Sequence, residues 1–460
     1  MQIDTKITPD HLAGKIDRLW TLSGEKIRSM ATNLAGTSGS PVVTVKGTYE
    51  PRSWTDWTQG FQFGSELIQF ETTGDDYYLG LAIDHIKKKM TPHVSHFGVH
   101  DHGFNNVSTY GHLLRLHHEG KIPQDEWMKE FCVMALKLSA SVQAQRWTSL
   151  PEGGFIYSFN GPHSLFVDTI RTIRILVAGH QLGHFSSGEN DIKSSLLKKA
   201  YQHALATAKY SIYYGEDRDI YDLWGRTAHE AIFNVNDGNF RAPATQQGYS
   251  GFSTWTRGLS WAMLGFSEQL EYLQTLEDLP ELKALGGKAY LEDIFLKAAR
   301  ATCDFYIKYS ALDGIPYWDT GAPGLVNLPN WEERNADPVN DWEPVDSSAA
   351  AIGAQGLLRL GHYLKSKNAD DADTYWTAGL TTANTLFQEP YLSTNPSHQG
   401  LILHSIYHRP NGWDHIPDHS KIPNGEACMW GDYHARELAL YLNRIIKGEP
   451  YYTFFKNIVP

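Results

Sequence analysis

Apolar residues recur at spacings of three and four through most of this chain, and that periodicity constrains the fold more than any other feature. It runs through 11–34, 74–90, 106–118, 124–146, 165–182, 190–213, 253–275, 288–309, 347–366, 371–387 and 432–447. Helix punctuation agrees: Pro123-Gln124-Asp125 precedes one segment, and Gly286-Gly287 stands just before another. Strand-like alternation is short and confined to linkers such as 41–48 and 400–405. Eleven or twelve helices in pairs fit an all-α fold, an (α/α)6 toroid of six hairpins in which inner helices form a barrel and outer helices wrap it. An open solenoid would show a fixed-period repeat, and none is visible. No linker or charge run divides the chain, so residues 1–460 are read as a single domain. Two irregular stretches, 310–345 and 390–428, are expected to line the pocket, because structureless loops of that length are usually functional.

Hydrophobic residues make up 41% and charged residues 20%, the balance of a soluble globular protein with a sizeable core. The 14 Trp and 24 Tyr are numerous; packing is the first explanation, and flat aromatic faces also stack on sugar rings. A net charge of −12 gives a nucleic-acid role no support, and no stretch approaches a membrane span. Cys132, Cys303 and Cys428 are far apart and odd in number, so they read as reduced buried thiols. The N-terminus lacks an apolar leader core, which favours a cytoplasmic location, or a periplasmic one for a chain already stripped of a signal peptide.

Three constellations carry chemistry. The run His93-x-x-His96-x-x-x-His100-Asp101-His102 gathers four imidazoles and a carboxylate, yet its spacing matches no standard zinc pattern. It reads either as a polar loop at a helix start or as a pocket aspartate flanked by imidazoles. Asp168 precedes a helical pattern and is by default an N-cap. Phe155, Tyr157, Phe159 and Phe166 lie close in sequence, and a carboxyl beside apolar rings is expected to hold its proton towards neutrality. Arg171, one turn on, pushes the other way. In the third, a helix starting near Ser253 puts Arg257 and Trp261 on one face, a cation and an indole suited to a sugar carboxylate and ring, or else a buried stacked pair. His229 precedes that segment.

Taken in order, Trp57-Thr58-Gln59-Gly60-Phe61, His100-Asp101-His102-Gly103-Phe104, Asp168-Thr169, Gln247-Gly248-Tyr249, Ser253 to Trp261, Asp346-Ser347-Ser348 and Trp430-Gly431-Asp432-Tyr433 resemble glycoside hydrolase family 88, the unsaturated glucuronyl hydrolases. The resemblance spans about 50 to 447. It implies the six-hairpin toroid and removal of a 4,5-unsaturated uronic acid from the non-reducing end of oligosaccharides left by polysaccharide lyases. It assigns the catalytic carboxyl to Asp168 and the supporting one to Asp101. Trp57, His100, His229, Gln247, Arg257 and Trp261 fall on substrate-contacting positions, with no metal or other cofactor. The expected partner is an anionic unsaturated oligosaccharide, not nucleic acid or membrane; the oligomeric state is open.

His102, Gln62, Arg171 and Arg174 depart from the family pattern, and the extra charge would suit a more heavily charged sugar, such as a sulfated fragment. The competing readings are an unsaturated rhamnogalacturonyl or ulvan-type hydrolase of the sister family, a non-catalytic sugar-binding toroid, and an inverting glycosidase acting on saturated sugars.

Overall fold

The structure, a computed structural model, describes residues 1–53 and 56–453. Twelve helices alternate between an outer and an inner layer. The outer ones are α1 (Ala13–Asn33), α3 (Asp76–Lys89), α5 (Glu126–Gln145), α7 (Leu196–Tyr210), α9 (Lys288–Tyr309) and α11 (Ala372–Leu386). The inner ones are α2 (Gln59–Thr73), α4 (His102–Asn106, a π-helical turn Val107–Gly111, then His112–His118), α6 (Thr169–Thr172 with Arg174–Gln181), α8 (Thr256–Thr275), α10 (Ser347–Ser366) and α12 (Met429–Ile446). Each inner helix packs on the next, and α12 returns to α2, which closes the ring. This is the (α/α)6 toroid that the periodicity suggested.

The layers differ in how they are buried. Outer helix α1 covers one stripe, Ile16, Leu19, Trp20, Ile27 and Met30, the spacing of a single helix face. Inner helix α8 is buried at every residue from Thr256 to Leu273. Capping follows the residue types: the Asp125 carboxylate accepts the Met128 N–H at 3.1 Å, and Asp346 accepts from Ser348 and Ala349.

Strands are secondary. The 41–48 stretch forms a hairpin of β1 (Pro41–Val45) and β2 (Thr48–Pro51), whereas 400–405 holds only a single bridge, Leu392 to Ile402. A second hairpin, β3 (Trp147–Leu150) with β4 (Gly153–Ile156), and a three-stranded sheet of β5 (Ser164–Phe166), β6 (Glu230–Phe233) and β7 (Phe240–Ala244) had no counterpart in the sequence reading. Among the described residues no helix is long and apolar enough to cross a membrane.

The bore of the barrel is charged. Arg171 of α6 donates through Nη2 to Glu268 of α8 at 3.0 Å and to Glu437 of α12 at 2.8 Å, and through Nη1 to His434. All are buried. Burial opposes charge here, but Arg171, with His434 and Arg174, holds the Glu437 carboxyl well below the usual range. Replacing Arg171 by Met takes the guanidinium from Glu437 and leaves Glu268 only Arg174, at 3.7 Å, so the denaturation midpoint should fall by the equivalent of about 3–5 kcal/mol. A variant as stable as wild type would show that this network does not brace the ring.

Burial also pushes His102, His112, His203 and His229 down to about 3. Unfolded, the same rings take a proton near pH 6.5, so between pH 6.5 and 3 the unfolded chain binds more protons. Stability present above pH 6.5 should therefore be lost as the pH falls, by roughly 1.4 kcal/mol per ring per pH unit. Melting curves from pH 7 to 4.5 check this, and a flat Tm would contradict the neutral rings.

Candidate active site

All six inner helices begin at the same mouth of the barrel, and the residues singled out in the sequence gather there. Trp57 lies just before α2, Asp101 caps α4, Asp168 caps α6, Trp255 caps α8, Asp346 caps α10 and Cys428 caps α12. The chains cross tightly. A Cβ on Gly60 would meet the Asn105 backbone at 2.3 Å, and one on Gly103 would meet Thr172 O at 2.0 Å, so only glycine lets α2, α4 and α6 converge this closely.

Between these ends lies a cavity of about 230 Å³ lined by Trp57, His100, Asp101, Phe104, Phe159, Phe166, Asp168, Gln246, Gln247, Trp255, Arg257, Trp261, Tyr407, His408, Asn411 and Trp413. A larger hollow of about 780 Å³, beside α7 and α9, contains none of the singled-out residues. The cavity walls are aromatic: Trp57 stacks on Trp430 at 4.8 Å, and Phe104 packs on Trp261 at 4.7 Å. Phe159 (59% exposed) and Trp413 (46%) keep free faces at its opening.

The acidic centre is compact. His100 donates from Nε2 to Asp168 Oδ2 at 3.0 Å, and the same nitrogen is 3.9 Å from Asp101 Oδ1. Pairing of β5 with β6 continues one step, with Val167 N–H donating to His229 O at 2.9 Å, and this sets His229 beside Asp168. His229 Nδ1 accepts the Gln246 N–H at 3.0 Å, so in the neutral ring the proton is on Nε2, 3.8 Å from Asp168 Oδ1. His229 thus stands behind the carboxyl rather than on the cavity wall. Asp168 Oδ1, His229 Nε2 and His100 Nδ1 are buried with no hydrogen-bond partner in the protein, an uncommon concentration.

The tuning of Asp168, which the sequence left open between the apolar rings and Arg171, is decided by the imidazoles. Burial would raise the Asp168 carboxyl, but the hydrogen bond and charge of His100, with His229 behind, hold it below its ordinary value. Burial would likewise lower His100, yet Asp101 and Asp168 raise it. Asp101 is the carboxyl pushed up, by burial and by the charge of Asp168 against the pull of His100. Arg171, the suspected cause, is engaged in the bore. His100, Asp101 and Asp168 present possible metal-ligand atoms within 4.8 Å of one another. A cation there would compete with Asp168 for His100 Nε2, the ring nitrogen that reaches both carboxylates.

The other singled-out residues divide. Trp57, Gln247 and Trp261 line the cavity. Arg257 lines it too, but its terminal nitrogens are occupied: Nη1 by Asp346 at 2.9 Å and the Ile406 carbonyl, Nη2 by Tyr407 O at 2.8 Å and Gln247 Oε1 at 2.5 Å. Its guanidinium also lies 4.5 Å over the Trp255 ring. His102 turns away, donating to His96 O at 3.0 Å and accepting from Ser139 Oγ at 2.8 Å. Arg174 donates to Gly103 O in the bore. The charges once read as suited to a sulfated sugar therefore do not reach the cavity.

Of the two long loops, 390–428 contributes Tyr407, His408, Asn411 and Trp413 to the wall, whereas 310–345 contributes nothing to it. That loop instead braces the Gln247 segment, with Asp319 accepting the Tyr249 N–H at 2.8 Å. None of Tyr407, His408, Asn411 and Trp413 was singled out in the sequence; a signal that could have found three of them is the turn His408-Arg409-Pro410-Asn411-Gly412-Trp413, a polar and aromatic set around a turn-forming core.

No family model matches the chain. Among curated proteins it is 25% identical over 387 residues to an unsaturated glucuronyl hydrolase of Formosa agariphila, covering 83% of this chain and 78% of that one. It is 25% identical over 405 residues to an unsaturated glucuronyl hydrolase of a Bacillus species (86% and 88%). It is 24% identical over 398 residues to an unsaturated chondroitin disaccharide hydrolase of Streptococcus pyogenes (84% and 81%). The crystal structure of the Bacillus glucuronyl hydrolase superposes with a TM-score of 0.68 at 22% identity, covering 93% of this chain and 97% of that one. That of Streptococcus agalactiae gives 0.71 at 18%, covering 99% of each. The chain is a homologue of the unsaturated glucuronyl hydrolases and shares their (α/α)6 fold.

Proposed function

We propose that the chain, as one (α/α)6 catalytic domain, removes a 4,5-unsaturated glucuronic acid from the non-reducing end of an oligosaccharide by adding water across its C4=C5 bond. The observation that carries the reading is the centre itself. A carboxyl bonded to an imidazole, with a second carboxyl alongside, stands on the wall of a small aromatic cavity at the mouth of a fold shared with unsaturated glucuronyl hydrolases.

In the substrate the C4=C5 bond is an enol ether that also carries the C5 carboxylate. In the free enzyme the proton needed at C4 belongs to the His100–Asp168 pair and rests on His100. Enclosure by the sugar strips water from the pair, and the lost hydration of its two charges favours transfer to Asp168. Asp168 then donates it to C4, leaving an oxocarbenium-like centre at C5. The Asp101 carboxylate steadies that centre while Asp168, now ionised, takes a proton from the water that attacks C5. The proton given at C4 is thereby returned. The hemiketal at C5 opens to a ketone, and the aglycone leaves from C1 as an alcohol. This needs one acid–base carboxyl, unlike ordinary glycoside hydrolysis with its two groups across the glycosidic bond.

Trp57 and Trp261 give the sugar ring aromatic faces, and Gln247, held through Oε1 by Arg257, has its amide N–H groups left to donate. Arg257 therefore acts by fixing Gln247 and the 406–407 turn more than as a free cation, and His229 by supporting Asp168. Six helix N-termini facing one cavity add to the attraction for a carboxylate.

The test follows the ultraviolet absorbance of an unsaturated uronyl disaccharide. It should fall with wild type, and Asp168→Asn should slow it by about two to four orders of magnitude. Near-normal turnover by that variant would remove Asp168 from the mechanism, and an unsaturated disaccharide left intact by wild type would remove the activity.

A further inference from the structure

Nine arginines are buried among the described residues: Arg115, Arg146, Arg171, Arg174, Arg226, Arg257, Arg359, Arg436 and Arg444. Eight of them come within 4.0 Å of a carboxylate. Arg146, only 3% exposed, does not. A buried cation without a carboxylate in contact is costly, and the chain keeps one close enough to the acidic centre for its charge to act on Asp101 and His100.

Arg146 follows α5 and spends its donors on backbone. Nη1 donates to Phe97 O, Nη2 to Ser158 O at 2.6 Å and Nε to Tyr157 O at 3.2 Å, with the guanidinium 4.3 Å over the Tyr157 ring. Phe97 belongs to the segment that ends in His100 and Asp101; Tyr157 and Ser158 lead into Phe159, which stacks parallel to His100 at 6.4 Å. The far end of the first segment is clamped separately, by Gln143 Nε2 and Thr172 Oγ1 on the His100 carbonyl at 3.0 and 2.8 Å.

Resting on the hydration reading above, we propose that Arg146 is a positioning residue of the active site: it fastens the His100–Asp101 segment to the Phe159 segment, and its unneutralised charge acts on Asp101 and His100. It lines no part of the cavity and touches no substrate. The fork of carbonyl bonds explains why the residue is arginine, since a lysine ammonium cannot span three carbonyls on two segments. The charge explains why no carboxylate has been supplied to quench it. Asp101 is pushed up by burial and by Asp168, with Asp56 nearby adding to the negative field, and Arg146, with His100 and His96, opposes that. The same field acts on His100, which also faces Asp168, His229 and His203. Arg146 thus opposes protonation of Asp101.

R146M and R146K separate the two roles. R146M should lose about 10- to 100-fold in kcat/KM with KM little changed, and the acid limb of kcat/KM should move up by about half to one pH unit. R146K keeps the charge, so its acid limb should stay at the wild-type position while kcat/KM still falls, by about 3- to 10-fold. The charge role has a readout that needs no turnover: the 15N-histidine resonance of His100, identified by its loss in His100→Asn, should titrate at a higher pH in R146M than in wild type. An R146M protein whose acid limb and His100 titration both stay at wild-type positions overturns the proposal, as does R146K with full wild-type kcat/KM. A wild-type enzyme that leaves unsaturated uronides intact overturns the hydration reading instead, and the His100 titration then still decides whether Arg146 governs the charge of this centre.

Discussion

The site depends on an interaction it does not contain. Arg171 reaches across the bore to Glu268 and Glu437, joining α6, α8 and α12. Asp168 caps the helix that Arg171 anchors, three residues earlier, so the rotation that aims Arg171 inward also fixes where the Asp168 carboxyl projects. An apolar bore would let inner helices rotate past one another at small cost. A multivalent ion network does not, because each slip leaves a buried charge unpaired. The network also solves an electrostatic problem. A guanidinium one turn from the acid group would depress it, but two carboxylates neutralise Arg171 first, and the imidazoles are left to set the proton affinity.

That division of labour marks what could be read from sequence. The outer helices were legible because each buries one stripe, and a stripe has a period. α2 was not found: from Gln59 to Phe70 every residue is buried, so its glutamines and Glu66 face the interior as fully as its phenylalanines. A helix with no solvent side has no polar face to set off its apolar one; α8, as fully buried, was legible because Leu259, Trp261, Ala262, Met263, Leu264 and Phe266 make its apolar run dense. The short sheet β5–β6–β7 escaped for the opposite reason: its strands have three to five residues, too few to show alternation, although their register is what brings His229 to Asp168.

In the site, residue types were legible and directions were not. Asp101, Asp168, His100, Trp57, Gln247 and Trp261 meet at one cavity. His102, two residues from His100, faces Ser139 and the backbone instead, since successive positions at a helix start point to different sides. Arg257 was left between a sugar-binding cation and a buried stacked pair, and its partners include a carbonyl pair about 150 residues away that no local pattern announces. Arg146 drew no notice because its donors go to backbone carbonyls, which carry no sequence signature.

The same logic bears on what the centre can do before substrate arrives. A carboxyl meant to protonate carbon must hold a proton at the working pH, and burial among rings is the usual device. Here burial is overridden by His100, so the free enzyme stores the proton on the imidazole, with the carboxylate beside it ready to receive it. An arrangement of this kind releases little acidity to an empty cavity. In the proposed reaction a sugar that closes over the pair strips it of water, and the lost hydration of the two charges favours the proton on Asp168. Contacts to a uronate carboxylate would then fall to donors other than the terminal nitrogens of Arg257, which are already committed.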